Sequence, residues 1–141
     1  ASAFAQKKII FLGDSLTEGY GVEKENAYPS IIQKSLDESD PKKYQVINGG
    51  VSGSTTASGI SRLRWFLKAK PSILVIALGA NDGLRGIKVS ESQKNLERVI
   101  LLAVKNDLKV ILCEMHLPTN YGAAYRKNFN KMFKHFYYKP L

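Results

Sequence analysis

SILVIALGAND, residues 72–82, is the stretch that decides the fold. Residues 73–78 are all apolar, with Pro71 and Ser72 before them and Gly79 after. The run is short for a helix and has no polar face. It therefore reads as a strand buried on both sides, the pattern of a central strand in a parallel sheet.

Working outward, TASGISRLRWFLKAK (56–70) sets Ile60, Leu63 and Leu67 on one helical face and is stopped by Pro71. KKIIFLG (7–13) and KYQVINGG (43–50) are two further strands that end in glycine. Between them AYPSIIQKSLDES (27–39), with Pro29 near its start, reads as a helix. On the other side, SESQKNLERVILLAVKND (90–107) opens on a capping-box pattern, Ser90 to Gln93. Its apolar residues recur at 96, 99, 100, 103 and 104. LKVILCEM (108–115) is a fourth strand. GAAYRKNFNKMFKHF (122–136) is a last helix with Tyr125, Phe129, Met132, Phe133 and Phe136 on one side. Four strand–helix units in succession predict an α/β fold with a parallel sheet, and residues 1–141 read as one domain.

Composition narrows the function classes. The 141 residues are 44% hydrophobic and 23% charged, the balance of a globular chain and not of a disordered one. No apolar run approaches the roughly 18–20 residues that span a bilayer. Net charge is +9, but the lysines are scattered and no aromatics interleave with them, so no nucleic-acid partner is expected. A generally basic surface and peripheral contact with an anionic membrane are the two readings that stay open. The lone Cys113 excludes an intramolecular disulfide and a cysteine zinc cage, and its setting, VILCEM, reads as core. Neither a metal nor a cofactor is expected. Ala1-Ser2-Ala3 and Ala3-Phe4-Ala5 have the small-x-small form found near signal-peptidase sites. Residues 1–7 are accordingly expected to be a disordered or signal-remnant terminus.

In open α/β sheets ligands bind outside the carboxyl ends of the strands. Here those ends carry Gly13–Leu16, Asn48–Gly53, Gly79–Gly83 and His116–Tyr121, a concentration of small and polar residues. The opposite edge carries Lys42, Lys43, Lys70, Pro71 and Lys109, ordinary solvated connections. The binding edge offers a serine hydroxyl at a helix start, glycine-rich backbone donors and an amide side chain. That is the equipment of acyl transfer, which needs a nucleophile and donors for a developing oxyanion. Phosphate also favours helix N-termini, but neither the P-loop pattern nor a third glycine after Gly19 and Gly21 is present. Ser15 is equally a candidate helix N-cap, and Asn81-Asp82-Gly83 a simple turn.

Taken together, GDSL (13–16), Gly53 within GGVSGST (49–55) and Asn81 within GAND (79–82) resemble three blocks of the SGNH, or GDSL, hydrolases. GANDGLRG (79–86) and LPTNYG (117–122) are similar to loops of the bacterial periplasmic acyl hydrolases with thioesterase, lysophospholipase and arylesterase activity. The resemblance covers residues 8–140 and implies a flavodoxin-like three-layer sandwich. It implies Ser15 as nucleophile, with the N–H groups of Ser15 and Gly53 and the Asn81 amide as oxyanion hole. Asp14 would organise the loop and not act as a base. Asp82, Gly83, Leu84, Leu117, Pro118 and Tyr121 would border the acyl groove. The implied substrates are small acyl esters or thioesters, the location periplasmic or secreted, the complete protein a monomer.

The family's fourth block, Asp-x-x-His, is not in this sequence: none of Asp14, Asp37, Asp40, Asp82 and Asp107 has a histidine three residues on. His116 is a candidate base or a pocket-lining residue, and His135 lies within an apolar-periodic helix. A fifth strand, a last helix and the catalytic Asp-His pair are therefore expected beyond Leu141, and residues 1–141 by themselves are expected to be poorly stable and nearly inactive. The rival reading is a non-catalytic acyl- or carbohydrate-binding module on the same fold.

Overall fold

A computed structural model describes residues 5–138. Its sheet has four parallel strands, β1 (Lys7–Gly13), β2 (Tyr44–Gly50), β3 (Ile73–Ala77) and β4 (Lys109–Leu112), in the order β2-β1-β3-β4. The helices are α1 (Ser15–Glu18), α2 (Tyr28–Ser39), α3 (Gly59–Phe66), α4 (Ala80–Leu84), α5 (Val89–Lys105) and α6 (Ala123–Tyr138). The α/β fold with a parallel sheet read from the sequence is the one observed, with four strands among the described residues.

Side-chain alternation along the strands makes the layers. Ile10 and Leu12 of β1 and Leu74 and Ile76 of β3 face a large core with Leu63 of α3 and Leu96, Val99, Ile100 and Ala103 of α5. Phe129, Met132 and Phe133 of α6 complete it. Ile9, Phe11 and Val75 point the other way, against Tyr28, Ile32 and Leu36 of α2. β3 lies between β1 and β4, as burial on both faces requires. Each such fully buried Leu, Ile or Phe contributes about 1.5–3 kcal/mol relative to exposure.

Several elements depart from their sequence patterns. The run 72–82 is a strand only to Ala77; after a turn at Gly79, residues 80–84 form a helical turn. The segment 56–70 is one helix, α3, between two 3₁₀ turns. α5 starts at Val89, one residue before the expected cap, with Lys88 at the N-cap and no side-chain capping bond. Ser90 is thus inside the helix, while Ser92 turns inward to the buried Asp82 carboxylate. Residues 1–4 of the expected loose terminus lie outside the described residues. Lys7 is not loose: its N–H donates to Lys43 O at 2.9 Å and it opens β1 opposite Tyr44. Cys113 is half-buried, and burial pushes its thiol pKa up.

The strand order matters for the site. From β1 the chain crosses to β2 on one side and later to β3 on the other, so the exits of β1 and β3 flank a topological switch point. The exit of β2 adjoins on the outer side.

Candidate active site

The turn after β1 is built by Asp14. Its side chain is 2% exposed and caps α1, Oδ1 accepting the Leu16 N–H at 3.0 Å. Ser15 is therefore not the N-cap but the first residue of the helix, partly exposed at its start. Its own N–H, at that position, has no acceptor within the helix. α1 rests on the end of β2. A Cβ on Gly50 would collide with the Glu18 amide nitrogen and stand 2.6 Å from Thr17 C, so only glycine admits the helix there. Thr17, fully buried, shares a 2.7 Å hydrogen bond with Tyr28, and Asn48 Nδ2 donates to Thr17 O at 2.8 Å.

The turn after β2 carries Gly53 with φ at +78°, a left-handed conformation that a side chain would strain. Its neighbours on each side are held by other elements. Ser52 donates through its N–H, at 2.8 Å, and through its hydroxyl to Glu18 Oε2 of α1. The hydroxyl first, then the N–H, holds the Glu18 carboxyl below the usual glutamate range. Gly53 O accepts from Arg85 Nη2 at 3.0 Å. Ser54 O accepts from Asn81 Nδ2 at 2.9 Å. That bond uses one of the two amide hydrogens of Asn81 and leaves the other to donate elsewhere.

Asp82, expected at the acyl groove, has a different place. It is 1% exposed, and its carboxylate accepts from Thr56 N at 2.8 Å, Thr56 Oγ1 at 2.6 Å and Ser92 Oγ at 2.8 Å. Asn95 Nδ2 in turn donates to Thr56 Oγ1 at 3.1 Å. The carboxylate ties the segment after Gly53 to α5 and has no exposed oxygen to offer a substrate. Gly83 and Leu117, also expected there, are buried against each other, whereas Leu84 and Pro118 are exposed and Tyr121 is partly so. Tyr121 Oη donates to Leu84 O at 3.1 Å and Tyr125 Oη to Ile87 O at 2.6 Å, fastening the loop after α4 to the start of α6.

Sequence reading missed Arg62. From α3 its Nη1 donates to Gly13 O and to Ser54 Oγ, both at 3.0 Å, and Nη2 donates to Gly49 O. Burial pulls its pKa below the ordinary arginine value, and the Asp14 carboxylate offsets part of this. Its one signal in the sequence is its position beside Leu63, on the flank of an apolar helical face. Next to it a cavity of about 290 Å³ is lined by Asn48, Gly49, Gly50, Val51, Trp65 and Phe66. Trp65 is 64% exposed and meets Phe66 edge-on, with centroids 5.0 Å apart.

The exit of β4 supplies no base by contact. His116 has its side chain 71% exposed and approaches Glu114, Nε2 to Oε1 at 3.9 Å. His135 sits within α6, edge-on to Phe136. The arrangement thus brings together the Ser15 hydroxyl turn, the Gly53 turn and the Asn81 amide, and leaves both histidines outside that cluster of contacts.

Comparison with known proteins follows the same residues. A model of the GDSL-like lipase/acylhydrolase family matches residues 11–137. An arylesterase of Vibrio mimicus is 38% identical over 130 residues, covering 92% of this chain and 64% of that protein. Esterase TesA of Pseudomonas aeruginosa is 35% identical over 130 residues with the same two coverages. The chain therefore spans less than two thirds of the length of these curated relatives. Among solved structures, AlinE4, an SGNH-hydrolase family esterase, superposes with a TM-score of 0.87 at 34% identity, over 95% of this chain and 72% of that one.

Proposed function

Because the chain belongs to the GDSL-like lipase/acylhydrolase family, we propose that it carries the nucleophile and oxyanion hole of a serine ester or thioester hydrolase. The observation that supports this best is the convergence of three strand exits, cross-tied by Glu18–Ser52 and Asn81–Ser54. In this reading Ser15 Oγ attacks the acyl carbonyl. The carbonyl oxygen becomes an oxyanion that accepts from the N–H groups of Ser15 and Gly53 and from the second amide hydrogen of Asn81. Collapse expels the alcohol or thiol, and water then releases the carboxylic acid from the acyl-serine. In this scheme a general base takes the Ser15 proton and returns it to the departing alcohol or thiol; both histidines of residues 1–141 lie outside the cluster of contacts around Ser15. Acyl thioesters, lysophospholipids and aryl esters are the proposed substrates, a class that fits relatives named as arylesterase and as thioesterase 1/protease 1/lysophospholipase L1.

Donors held in advance at the oxyanion position stabilise the transition state without reorganising during the reaction. The test is a serine-reactive fluorophosphonate on the protein as its gene encodes it. Labelling is expected to vanish in Ser15→Ala, and turnover of an aryl ester to fall by about 10⁴–10⁶-fold. Full labelling of Ser15→Ala would remove Ser15 from the mechanism. Ligand binding with neither labelling nor turnover in the unaltered protein would favour a binding module.

A further inference from the structure

Arg62 touches all three segments that set the distance between the serine and one of its oxyanion donors. Gly13 O belongs to the peptide leading into Asp14 and Ser15, and it accepts from Arg62 Nη1 and also from Val51 N at 3.1 Å. Gly49 O lies at the end of β2, one residue before the Gly50 on which α1 rests. Ser54 Oγ belongs to the residue that follows Gly53. A guanidinium is planar and its donors keep fixed angles, so bonding to all three fixes them in one frame. The side chain itself starts from a firm base. The next residue, Leu63, is fully buried, and Gly59 lets α3 approach Val99 of α5 closely.

From this geometry we infer that Arg62 is a positioning residue for acyl transfer: it holds the Ser15 turn and the Gly53 turn at the separation the oxyanion requires. The inference rests on the acyl-hydrolase reading above. Arg62 itself, bonded to backbone carbonyls and a hydroxyl, acts through these groups and takes no part in bond making. Asn81 holds the same Gly53 turn from the other side through Ser54 O, so the turn is gripped at one residue by two side chains from different helices.

A lysine at this position keeps the charge and loses the fork. In the protein as its gene encodes it, Arg62→Lys is expected to lower kcat on an aryl ester by about 10–100-fold, because small misplacements of reacting groups cost this much. KM is expected to stay within about threefold, since no substrate contact is removed. Ser54→Ala, which deletes only the link to the Gly53 turn, should lower kcat in the same direction by less. It should add little in the Arg62→Lys background, as expected for two members of one tie. Melting temperatures are measured alongside. If folded Arg62→Lys keeps wild-type kcat, or loses only melting temperature, Arg62 is a staple of the fold and the inference is overturned. Should the Arg62 variants fail to fold, Ser54→Ala decides: reduced kcat at an unchanged melting temperature supports the inference, and unchanged kcat overturns it. Wild-type turnover in Ser15→Ala would instead sink the reading beneath it, and the role of Arg62 with it.

Discussion

The exits of β1, β2 and β3 and the exit of β4 share one edge of one sheet and are built on different principles. The first three are bound to each other through side chains with buried or partly buried polar atoms: Asn48, Arg62, Asn81 and Asp82. The fourth, residues 113–122, is joined to its neighbours by the packing of Leu117 on Gly83 and by the hydrogen bond from Tyr121 to Leu84 O. Its one polar side-chain contact of this kind, Glu114 with His116, is long at 3.9 Å, and the His116 side chain is exposed. The contrast teaches that hydrogen-bonded polar side chains are concentrated at the first three exits, while the fourth forms a border of mixed apolar and exposed residues. Substitutions should therefore have large effects in the first group and small ones in the second.

Gly50→Ala should break the contrast most severely. The added methyl has nowhere to go but into the backbone of α1, and overpacking of this kind costs about 1–3 kcal/mol or more. Because α1 carries Ser15, activity should fall by at least about 10²-fold. Urea unfolding and ester turnover measured together check both. A wild-type profile would show that α1 does not depend on its seat against β2.

Asp82→Ala removes the acceptor of three bonds and leaves the Thr56 N–H, the Thr56 hydroxyl and the Ser92 hydroxyl buried. The expected loss of stability is on the order of 3 kcal/mol, read from the denaturation midpoint. A much smaller loss, with KM raised, would return Asp82 to the substrate groove where the sequence first put it.

Glu18→Gln is milder and sharpens the comparison through pH. Since the Ser52 contacts lower the folded-state pKa of Glu18, their stabilisation is complete above the unfolded value and is lost as pH falls through the folded one. Melting temperatures of wild type and Glu18→Gln should therefore differ at neutral pH and converge in acid. Parallel curves across that range would count against the tie.

His116→Gln should do least. The side chain is 71% exposed, so stability should move within about 0.5 kcal/mol and turnover by less than about twofold. A loss of 10² or more in kcat would make His116 a participant and erase the distinction between the two regions.

What the sequence disclosed follows the range of the interactions involved. The apolar run 73–78 and the apolar periodicity of 96–103 report burial directly, and four strands in a parallel sheet could be read from such patterns. The glycine and small-residue signals at 13–16, 49–55 and 79–82 located the three exits. Pairings between distant polar groups left no such trace. Ser90 to Gln93 satisfied a capping pattern, but the helix starts one residue earlier, and the serine that finds a partner is Ser92, whose hydroxyl donates to Asp82, ten residues back in the chain. Asp82 was placed at the groove by the family resemblance of its loop, while the turn of α4 directs its carboxylate inward. Arg62 was invisible for the same reason, since all three of its acceptors are on other elements.

The chain has a single tryptophan, and α3 places it three residues after Arg62, beside the 290 Å³ cavity and edge-on to Phe66. In optical terms the protein carries one lamp, mounted on the helix whose Arg62 bonds to Gly13 O. Its emission comes from one spot, open enough for a dissolved quencher to reach. Anything that fills that cavity, or tilts α3 away from the end of β2, will change the colour or the quenching of that light without any label being added.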